Sequence, residues 1–425
     1  MKISHFDAVG ETVYASHLSN GLQVYVMPRP GFTKQFAFFA ANYGGNDLTY
    51  QWNGQQKEAP AGTAHFLEHK LFDTNEGSAD VKLATGGAIA NAFTSPSMTA
   101  YFFECTGHFD ENLEILLQFV SEPYFTEESV QKEQGIIGQE IEMGTDDPGT
   151  QVYYQLLECL FAKHPIRDRV IGTKKSIAAL TPACLYECHQ AFYHPSNMVL
   201  CVAGDVSPEK VMNQAQKISK NSGILQRVEM PVETSIPCCT RAEREMDVSA
   251  PQFLLGFKGT QKTDQPLLEE IQAELALEVL CGKSSSLYAS LYAQGLIDKQ
   301  FDYGFERYPG CSYFALGGES RDPDAVVRAI YTRREEILSS GLNESLFQQI
   351  KKASYGRKIQ SLDSLENLCI STAEGHFRNM DIFSFPELYE KLSTDHIQQF
   401  IQAYFRPEQA ALSIVVPIGK KEGTH

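Results

Sequence analysis

Residues 190–195 read QAFYHP and precede the apolar run 198–203, while residues 402–407 read QAYFRP and precede a second apolar run, 410–416. The two segments lie 212 positions apart, which is close to half of the 425-residue chain. Self-similarity at one long period indicates that a structural unit has been duplicated. We therefore expect two copies of one domain.

The residue patterns predict that each copy contains both strands and helices. Alternating polar and apolar residues at 22–27 and 99–104 are typical of strands, and the apolar spacing of 109–120 is typical of a helix. The expected fold class is therefore α+β, with two homologous mixed domains that each pack a largely antiparallel sheet against helices.

The seam between the two copies falls where prolines and polar residues replace the periodic apolar ones. Two X-Pro pairs, at 230–231 and 236–237, would interrupt any helix there. We predict an N-terminal domain at 1–220, a linker at 221–245 and a C-terminal domain at 246–425.

The composition is that of a well-packed globular protein, because 43% of the residues are hydrophobic and 21% are charged. This balance excludes a chain that is mainly disordered. The formal net charge of −17 leaves no basic excess to neutralise phosphates, so no nucleic acid or anionic membrane is expected as a partner. A cationic peptide suits this charge better, although a solvated acidic outer surface explains it equally well.

No stretch of the sequence approaches the roughly 18 uninterrupted apolar residues of a membrane-spanning helix, so no membrane span is expected. The first residues have no apolar core of the kind found in a secretory signal, and we expect a cytoplasmic protein. The ten cysteines lack paired metal-type spacing. Reduced thiols without a chemical role are therefore favoured over a second metal site.

The sharpest local signal is the motif HFLEH at 65–69, which follows the turn-prone residues 60–63. On a helix, His65 and His69 project from one face, so both imidazoles can reach a single metal ion. Glu68 lies close enough to that face to act on a water molecule there. This order of residues is the inverted zinc-peptidase motif. A surface helix that carries two histidines is the plainer alternative.

A catalytic zinc site needs a third protein ligand and an open coordination position. Glu133 and Glu140 are seven residues apart, which places them about 20° apart around a helix, so both can face one cavity. Glu142 stays open as the ligand, and a solvated acidic helix face is the plainer alternative. Gly135 and Gly138 weaken this helix, and they predict that another backbone passes close to it.

Four segments together resemble the pitrilysin/insulinase family, which includes the mitochondrial processing peptidase. They are 62–72, 86–94, 99–101 and 133–141. A fifth segment, 193–198, resembles the strand that ends the family's domain. The order and spacing of these segments agree with the family over about 140 residues. The duplicated architecture extends the likeness to the whole chain. The chain looks most similar to bacterial members of this length that work in pairs, in which one subunit carries the zinc motif and its sister lacks it.

The resemblance implies a zinc-dependent endopeptidase in which His65, His69 and Glu140 hold Zn2+. It also implies that Glu68 is the general base and that Glu133 is a catalytic carboxylate beside the site. The implied fold is that of mitochondrial processing peptidase-like subunits, which agrees with the two mixed domains expected from the sequence patterns.

The resemblance also predicts where a peptide substrate binds. In the family, the strand that matches 90–93 lies at a sheet edge, where an extended peptide is added as a further strand. Asn91, Ala92 and Phe93 are therefore the predicted substrate-binding residues. A turn or strand-end position is the plainer alternative for Asn91.

The second copy departs from the family pattern. Glu140 is echoed by Lys358, and the stretch 277–281 stands where the histidine motif would fall, so this half is not expected to bind zinc. Complete family enzymes have an arginine and a tyrosine in one segment of this half or of the partner's equivalent. Here residues 291–298 contain no arginine, and Asp298 stands near the place of the tyrosine.

A homologous sister subunit is therefore expected to supply the arginine and the tyrosine in a heterodimer. Its four half-chain units would enclose a chamber that admits peptides and unfolded segments. Tyr292 or Tyr303 could instead replace the missing tyrosine within this chain.

Two other functions fit parts of the sequence. A non-catalytic structural or peptide-holding subunit of the same family is one, although such a subunit has no chemical need for His65, Glu68, His69 and Glu140 together. A non-haem iron oxygenase is the other, because it uses two histidines and one carboxylate as ligands. The position of Glu68 and the family resemblance favour the peptidase over the oxygenase.

Overall fold

The computed structural model of the protein describes residues 1–219 and 223–418. Its strands are β1 (Lys2–Phe6), β2 (Glu11–His17), β3 (Gln23–Pro28), β4 (Gln35–Ala41), β5 (Thr49–Trp52), β6 (Gln55–Glu58), β7 (Asp73–Thr74), β8 (Gly77–Ser78), β9 (Ala88–Thr94), β10 (Thr99–Cys105), β11 (Met198–Gly204), β12 (Leu225–Arg227), β13 (Arg241–Met246), β14 (Gln252–Lys258), β15 (Asp302–Tyr308), β16 (Cys311–Glu319) and β17 (Ala410–Pro417).

Its helices are α1 (Thr63–Leu71), α2 (Ala79–Thr85), α3 (Phe109–Ser121), α4 (Glu127–Asp146), α5 (Pro148–Leu160), α6 (Lys174–Ala178), α7 (Pro182–Phe192), α8 (Pro208–Ala215), α9 (Pro266–Cys281), α10 (Ser286–Ala293), α11 (Pro323–Ser340), α12 (Glu344–Ser361), α13 (Leu365–Phe377), α14 (Phe385–Lys391) and α15 (Thr394–Tyr404). Short 3-10 turns occupy Pro165–Arg167, Pro195–Asn197, Ile382–Ser384 and Pro407–Gln409.

The two main sheets share one strand order, which confirms the predicted duplication. In the first sheet β3, β11, β4, β10 and β9 lie side by side, and β2 and β1 extend it beyond β3; in the second sheet the order is β13, β17, β14, β16 and β15. The pairs β3–β11 and β13–β17 are parallel, and the other neighbours are antiparallel. The fold is therefore α+β with two homologous mixed domains, as predicted.

The segments that revealed the repeat occupy the same place in both copies. Residues 190–195 and 402–407 lie at the ends of α7 and α15, and a 3-10 turn leads from each helix into β11 or β17. Every residue of β11 is buried, as expected for a strand that is covered on both faces. The predicted strands at 22–27 and 99–104 and the predicted helix at 109–120 are confirmed as β3, β10 and α3.

The chain forms two compact units that do not follow the order of the sequence. Among the described residues, unit 1 contains 1–141, 168–219, 223–228 and 358–386, and unit 2 contains 142–167, 229–357 and 387–418. The predicted bounds at 1–220, 221–245 and 246–425 stay a prediction about the two sequence repeats, and residues 220–222 and 419–425 lie outside the described ranges.

Each unit includes a helix from the other repeat. In unit 1, α13 packs on β4 and β11. In unit 2, α5 packs on β13, β14 and β17. Leu156 and Leu160 of α5 are fully buried, and the Gln155 amide donates to the Ala242 carbonyl and to Ser413 Oγ at 3.0 Å each. The two exchanged helices are therefore parts of the cores of the units that receive them.

The remaining sequence features have plain structural outcomes. The X-Pro pairs at 230–231 and 236–237 lie in the irregular stretch between β12 and β13, where no helix forms. All ten cysteines are free thiols. Within 1–219 and 223–418, no helix is both long enough and apolar enough to cross a bilayer.

Candidate metal centre

Helix α1 presents the histidine motif, and its start is fixed by glycine. Gly62 precedes the helix with φ of 94°, in the left-handed region that favours glycine, and a Cβ built there would lie 2.6 Å from the Ile171 carbonyl oxygen. Phe66 and Leu67 face the core and are fully buried. The motif histidines therefore point away from the core on the opposite part of the helix surface.

Helix α4 presents the two predicted carboxylates. Its buried residues are Val130, Ile137 and Ile141. The Gln134 side chain donates to the carbonyls of Ile177 and Leu180 at 3.2 and 3.0 Å, which fixes the rotation of α4 within unit 1.

The structure brings His65, His69 and Glu140 together. One potential ligand atom from each residue lies within 4.8 Å of the others. Glu140 Oε1 is 3.7 Å from His65 Nε2, and Glu140 Oε2 is 3.9 Å from His69 Nε2. Tetrahedral ligands at about 2.1 Å from zinc lie roughly 3.4 Å apart, so small side-chain shifts would complete such a site. The alternative acid, Glu142, is not a member of this cluster.

Glu133 holds one ring nitrogen of His69. Its Oε1 lies 2.9 Å from His69 Nδ1, and its side chain is only 13% exposed. With Nδ1–H donating to Glu133, the lone pair is on Nε2, the nitrogen nearest Glu140. Carboxylates commonly orient metal-binding histidines in this way. Glu133 therefore contacts His69 directly and is not itself a member of the cluster.

The pKa values of the two imidazoles shift in opposite directions. Burial, helped by the neighbouring His69, lowers the pKa of His65 to about 4, so His65 is neutral at pH 7. Burial alone would lower the pKa of His69, but the hydrogen bond to Glu133 and the nearby carboxylates of Glu68 and Glu140 outweigh it and raise that pKa. A neutral imidazole is the form that binds a metal ion.

Glu68 lies beside the cluster and is half-buried. Burial raises the pKa of its carboxyl group, and the Thr94 hydroxyl and His69 oppose that rise only in part. The Thr94 Oγ1 donates to Glu68 Oε2 at 2.5 Å. Sequence reasoning missed Thr94 as a neighbour of Glu68, because 26 residues separate them. A general base functions best when its pKa is raised towards the working pH.

The predicted substrate-binding residues lie in β9, at the edge of the first sheet. Asn91 is exposed, and its Oδ1 accepts a hydrogen bond from the Ala92 N–H at 2.9 Å. Phe93 packs instead towards Phe38 and Phe102, with ring centroids 6.1 and 6.2 Å apart. Ile89, on the same strand, is 77% exposed. Asn91 and Ala92 thus lie on the edge strand of the first sheet, and the Phe93 side chain packs near two phenylalanine rings.

The prediction drawn from the glycines of α4 is wrong for the described residues. A Cβ built at Gly135 or at Gly138 would meet no atom within 4 Å, so no neighbouring backbone requires either glycine. The packing face of this helix is carried instead by its three buried aliphatic residues.

In unit 2, α9 and α12 correspond to α1 and α4 of unit 1, and side chains of opposite charge connect them. Arg357 of α12 contacts Glu274 and Glu278 of α9 at 3.1 and 2.7 Å. Leu277 and Leu280 of α9 are buried. Two acids four residues apart and a cation thus connect these helices, where unit 1 has two histidines and an acid.

The segment that departs from the family pattern spans the end of α10 and the loop that follows it. Tyr292 is 54% exposed and stacks on Tyr288, with ring centroids 6.0 Å apart. Tyr303 lies on β15, where burial raises its pKa and the carboxylate of Glu278 adds to the rise. The segment 291–298 contains no arginine, and Tyr303 lies outside it.

Family models match most of the chain. Residues 54–174 match the model described as Insulinase (Peptidase family M16), and residues 179–354 match the model described as Peptidase M16 inactive domain. The first match contains all members of the cluster.

Similar proteins cover the chain from end to end. The "Uncharacterized zinc protease YmfH" of Bacillus subtilis (strain 168) is 36% identical over 98% of this chain and 99% of its own length. A crystal structure of an M16-like peptidase from Alicyclobacillus acidocaldarius has a TM-score of 0.92 and 31% identity, and covers 96% of this chain and 99% of its own. A protease structure from Helicobacter pylori, at 19% identity, shares the fold with a TM-score of 0.83 over 95% of this chain and 99% of its own.

Proposed function

The chain belongs to peptidase family M16, the insulinase family, and on that premise we propose that it is the catalytic subunit of a zinc-dependent endopeptidase. The observation that carries the proposal is the convergence of His65, His69 and Glu140 within 4.8 Å, with Glu68 on the same helix. The substrate class is peptides or unfolded protein segments.

The donor set fits a zinc ion. Two imidazole nitrogens and one carboxylate oxygen form the three-ligand set of catalytic zinc sites, which leaves a position open for substrate or water. His65 Nδ1 is buried and has no hydrogen-bond partner among the described residues, so that ring is not committed to a structural hydrogen bond. His69 Nδ1 is occupied by Glu133, which leaves Nε2 for coordination.

In the proposed reaction, a bound zinc ion supplies Lewis acidity, which polarises a carbonyl group and acidifies water. Glu68 takes a proton from the attacking water with its carboxylate and returns that proton to the departing amine. Glu133 keeps the His69 ring in one tautomer throughout. The sheet edge at Asn91 and Ala92 binds the peptide as an added strand, and main-chain hydrogen bonds to that strand place the scissile bond.

The chain is proposed to work with a homologous sister subunit. The support is the segment 291–298, which contains no arginine and has Asp298 near the place of the tyrosine; the family uses that arginine and tyrosine on the substrate and its developing oxyanion. Loss of one such donor typically costs about 10²- to 10³-fold in rate. The heterodimer would enclose a chamber for peptides, and the isolated chain is expected to cleave slowly.

The first test is the substitution Glu68→Gln, which preserves shape and removes the base. We expect peptide cleavage by the assembled complex to fall by about 10²-fold or more, with zinc content unchanged. Glu111→Gln, an exposed residue of α3, is the matched control and should cleave as the wild type does. Unaltered cleavage by Glu68→Gln would show that this chain is not the peptidase.

Metal analysis is the second test. We expect one zinc per chain in protein purified from the native host, and loss of that zinc in His65→Ala or Glu140→Ala. Iron in place of zinc would favour the oxygenase alternative.

Co-purification from the native host tests the partner. We expect a homologous chain in equal amount, and addition of that chain should raise the rate of the isolated protein about 10²- to 10³-fold. Full turnover without a companion would remove the need for the partner and would leave the peptidase proposal intact.

A peptide-holding subunit without catalysis is the second candidate. It is favoured by one observation, the match of 179–354 to a domain described as inactive. The Glu68→Gln variant separates the two candidates. If this chain only holds the peptide, cleavage by the assembled complex would not change when Glu68 is replaced.

A further inference from the structure

Thr94 has no part in the proposed reaction, yet it is the hydrogen-bond donor that the structure gives the Glu68 carboxylate among the described residues. We propose that Thr94 is a positioning residue for Glu68: its hydroxyl holds Oε2, so that Oε1 is left to exchange the proton. This inference rests on the proposed function of Glu68 as the general base.

The chemistry of the contact supports a positioning role. The terminal torsion of a glutamate has no sharp minimum, so a carboxylate without a donor samples many orientations. A hydroxyl that donates to an ionised carboxylate makes a short, charge-assisted bond, and the distance here is 2.5 Å. Because a threonine hydroxyl has one proton, it can hold only one of the two carboxylate oxygens.

Thr94 is itself fixed by the end of its hairpin. It is the last residue of β9 and lies opposite Thr99 of β10, whose Oγ1 donates to the Tyr43 carbonyl at 2.8 Å. The connecting turn is closed by Ser95, whose N–H donates to the Met98 carbonyl at 2.8 Å and whose Oγ accepts from the Met98 N–H at 3.0 Å. The Thr94 hydroxyl is therefore presented from a closed turn and not from a flexible loop.

A second loop supports this turn from outside. The N–H of Gly45 donates to the Ser95 carbonyl at 3.0 Å, and the N–H of Asn46 donates to the Pro96 carbonyl at 2.8 Å. A Cβ built on Gly44 would lie 2.4 Å from the Ser97 nitrogen, so the two backbones approach as closely as glycine allows. The position of Thr94 is thus set by parts of unit 1 other than the helix that carries Glu68.

The other groups around Glu68 do not replace this donor. His69, the next residue of α1, and Glu140 of α4 interact with it through their charges. Behind it, the hydroxyls of Tyr101 and Tyr193 lie 3.0 Å apart and bond to each other. The negative charge of Glu68 raises the pKa of both tyrosines, secondary to their burial.

The test compares Thr94→Val, which keeps the shape and removes the hydroxyl, with Thr94→Ser, which keeps the hydroxyl. For Thr94→Val we expect kcat to fall about 10- to 100-fold, the usual effect of losing a hydrogen bond to a charged group, with KM within about twofold of wild type. Thr94→Ser should retain kcat within about threefold. Wild-type kcat in Thr94→Val, or an equal loss in Thr94→Ser, would overturn the inference.

A measurement without turnover separates positioning from general damage. In crystals of the metal-free variants, we expect the Glu68 side chain to shift or to occupy two rotamers in Thr94→Val and to stay in place in Thr94→Ser. An unmoved, single Glu68 conformer in Thr94→Val would also overturn the inference. Zinc content and melting temperature are expected to stay those of the wild type in both variants.

Failure of this inference is distinguishable from failure of the proposed function. If Glu68→Gln abolishes cleavage and Thr94→Val does not, only the positioning role is wrong. If Glu68→Gln cleaves normally, the peptidase assignment is wrong, and the crystallographic comparison still reports whether Thr94 holds the carboxylate.

Discussion

The Glu133 carboxylate determines which nitrogen of His69 is available at the cluster, because it accepts the Nδ1 proton. Removing it with Glu133→Ala frees the ring to adopt the other tautomer and to rotate. We expect zinc affinity to fall about 10- to 100-fold, the usual effect of losing a carboxylate that orients a ligand. A competition titration against a chelator of known affinity measures the change.

The control for this prediction is Glu128→Gln, an exposed acid of the same helix, which should bind zinc as the wild type does. Equal weakening in both variants would mean that net charge, and not orientation of His69, governs the affinity.

A second carboxylate, Glu233, makes the stability of unit 2 depend on pH. Its side chain is 1% exposed and pairs with Lys258 at 3.0 Å. Burial would raise the pKa of Glu233, but the backbone N–H groups of Lys163, Ala162 and His164, together with Lys258, outweigh it and lower the pKa to about 2. The folded protein therefore binds this proton less tightly than the unfolded chain, whose pKa is near 4.5.

The expected stability contribution of Glu233 is complete above about pH 4.5 and is lost as the pH falls towards 2. At pH 7, Glu233→Gln should lower the free energy of unfolding by about 3 to 5 kcal/mol, since it leaves Lys258 buried without its counter-charge. Urea titrations from pH 7 to pH 3 measure the difference. A difference that does not shrink on acidification would contradict this account.

Sequence reasoning reached the residues whose spacing along one helix carries the information. His65 and His69, four apart, follow from helical geometry, whereas Glu140 is separated from Glu142 only by the family resemblance; the structure brings His65, His69 and Glu140 together. Thr94 could not be found in this way, because its contact with Glu68 depends on how a hairpin packs beside a helix.

At the scale of elements, the packing of α5 against the sheet of unit 2 leads to a prediction about stability. Leu156 is fully buried in unit 2, next to Tyr313 and Ala411 in the same apolar cluster. Leu156→Ala should destabilise the protein by about 2 to 5 kcal/mol through loss of buried surface and the cavity it leaves. Urea unfolding measures this change.

Glu158→Ala, on the exposed face of α5, is the matched control and should change stability by no more than about 0.5 kcal/mol. If both substitutions had equally small effects, α5 would not be part of the core of unit 2.

The strands at 22–27 and 99–104 and the helix at 109–120 could be predicted from the sequence, but the unit to which α5 and α13 each belong could not. Periodicity shows that a helix has an apolar face, and it shows nothing about which sheet covers that face. The repeat at 190–195 and 402–407 located the ends of the two copies. The exchange of helices is a choice between two equivalent sheets, which only tertiary packing decides.

For the whole molecule, zinc should act as a stabilising ligand. A ligand that binds only the folded state at about 100 times its dissociation constant adds roughly 2.7 kcal/mol. We expect the melting temperature of the metal-free protein to rise by several degrees with zinc, and magnesium, which prefers oxygen ligands, to have no such effect. The double variant His65→Ala/His69→Ala should not respond to zinc. An equal rise in that variant would place the bound ion elsewhere.

The exchange of α5 and α13 has a consequence for how the protein is made. Unit 1 needs residues 358–386 to complete its core, so the ribosome must synthesise most of the chain before that unit can close. A gene cut at the seam would yield two fragments that each expose an unoccupied apolar sheet face. We expect such fragments to aggregate when produced singly and to recover when produced together, since each supplies the helix that the other lacks.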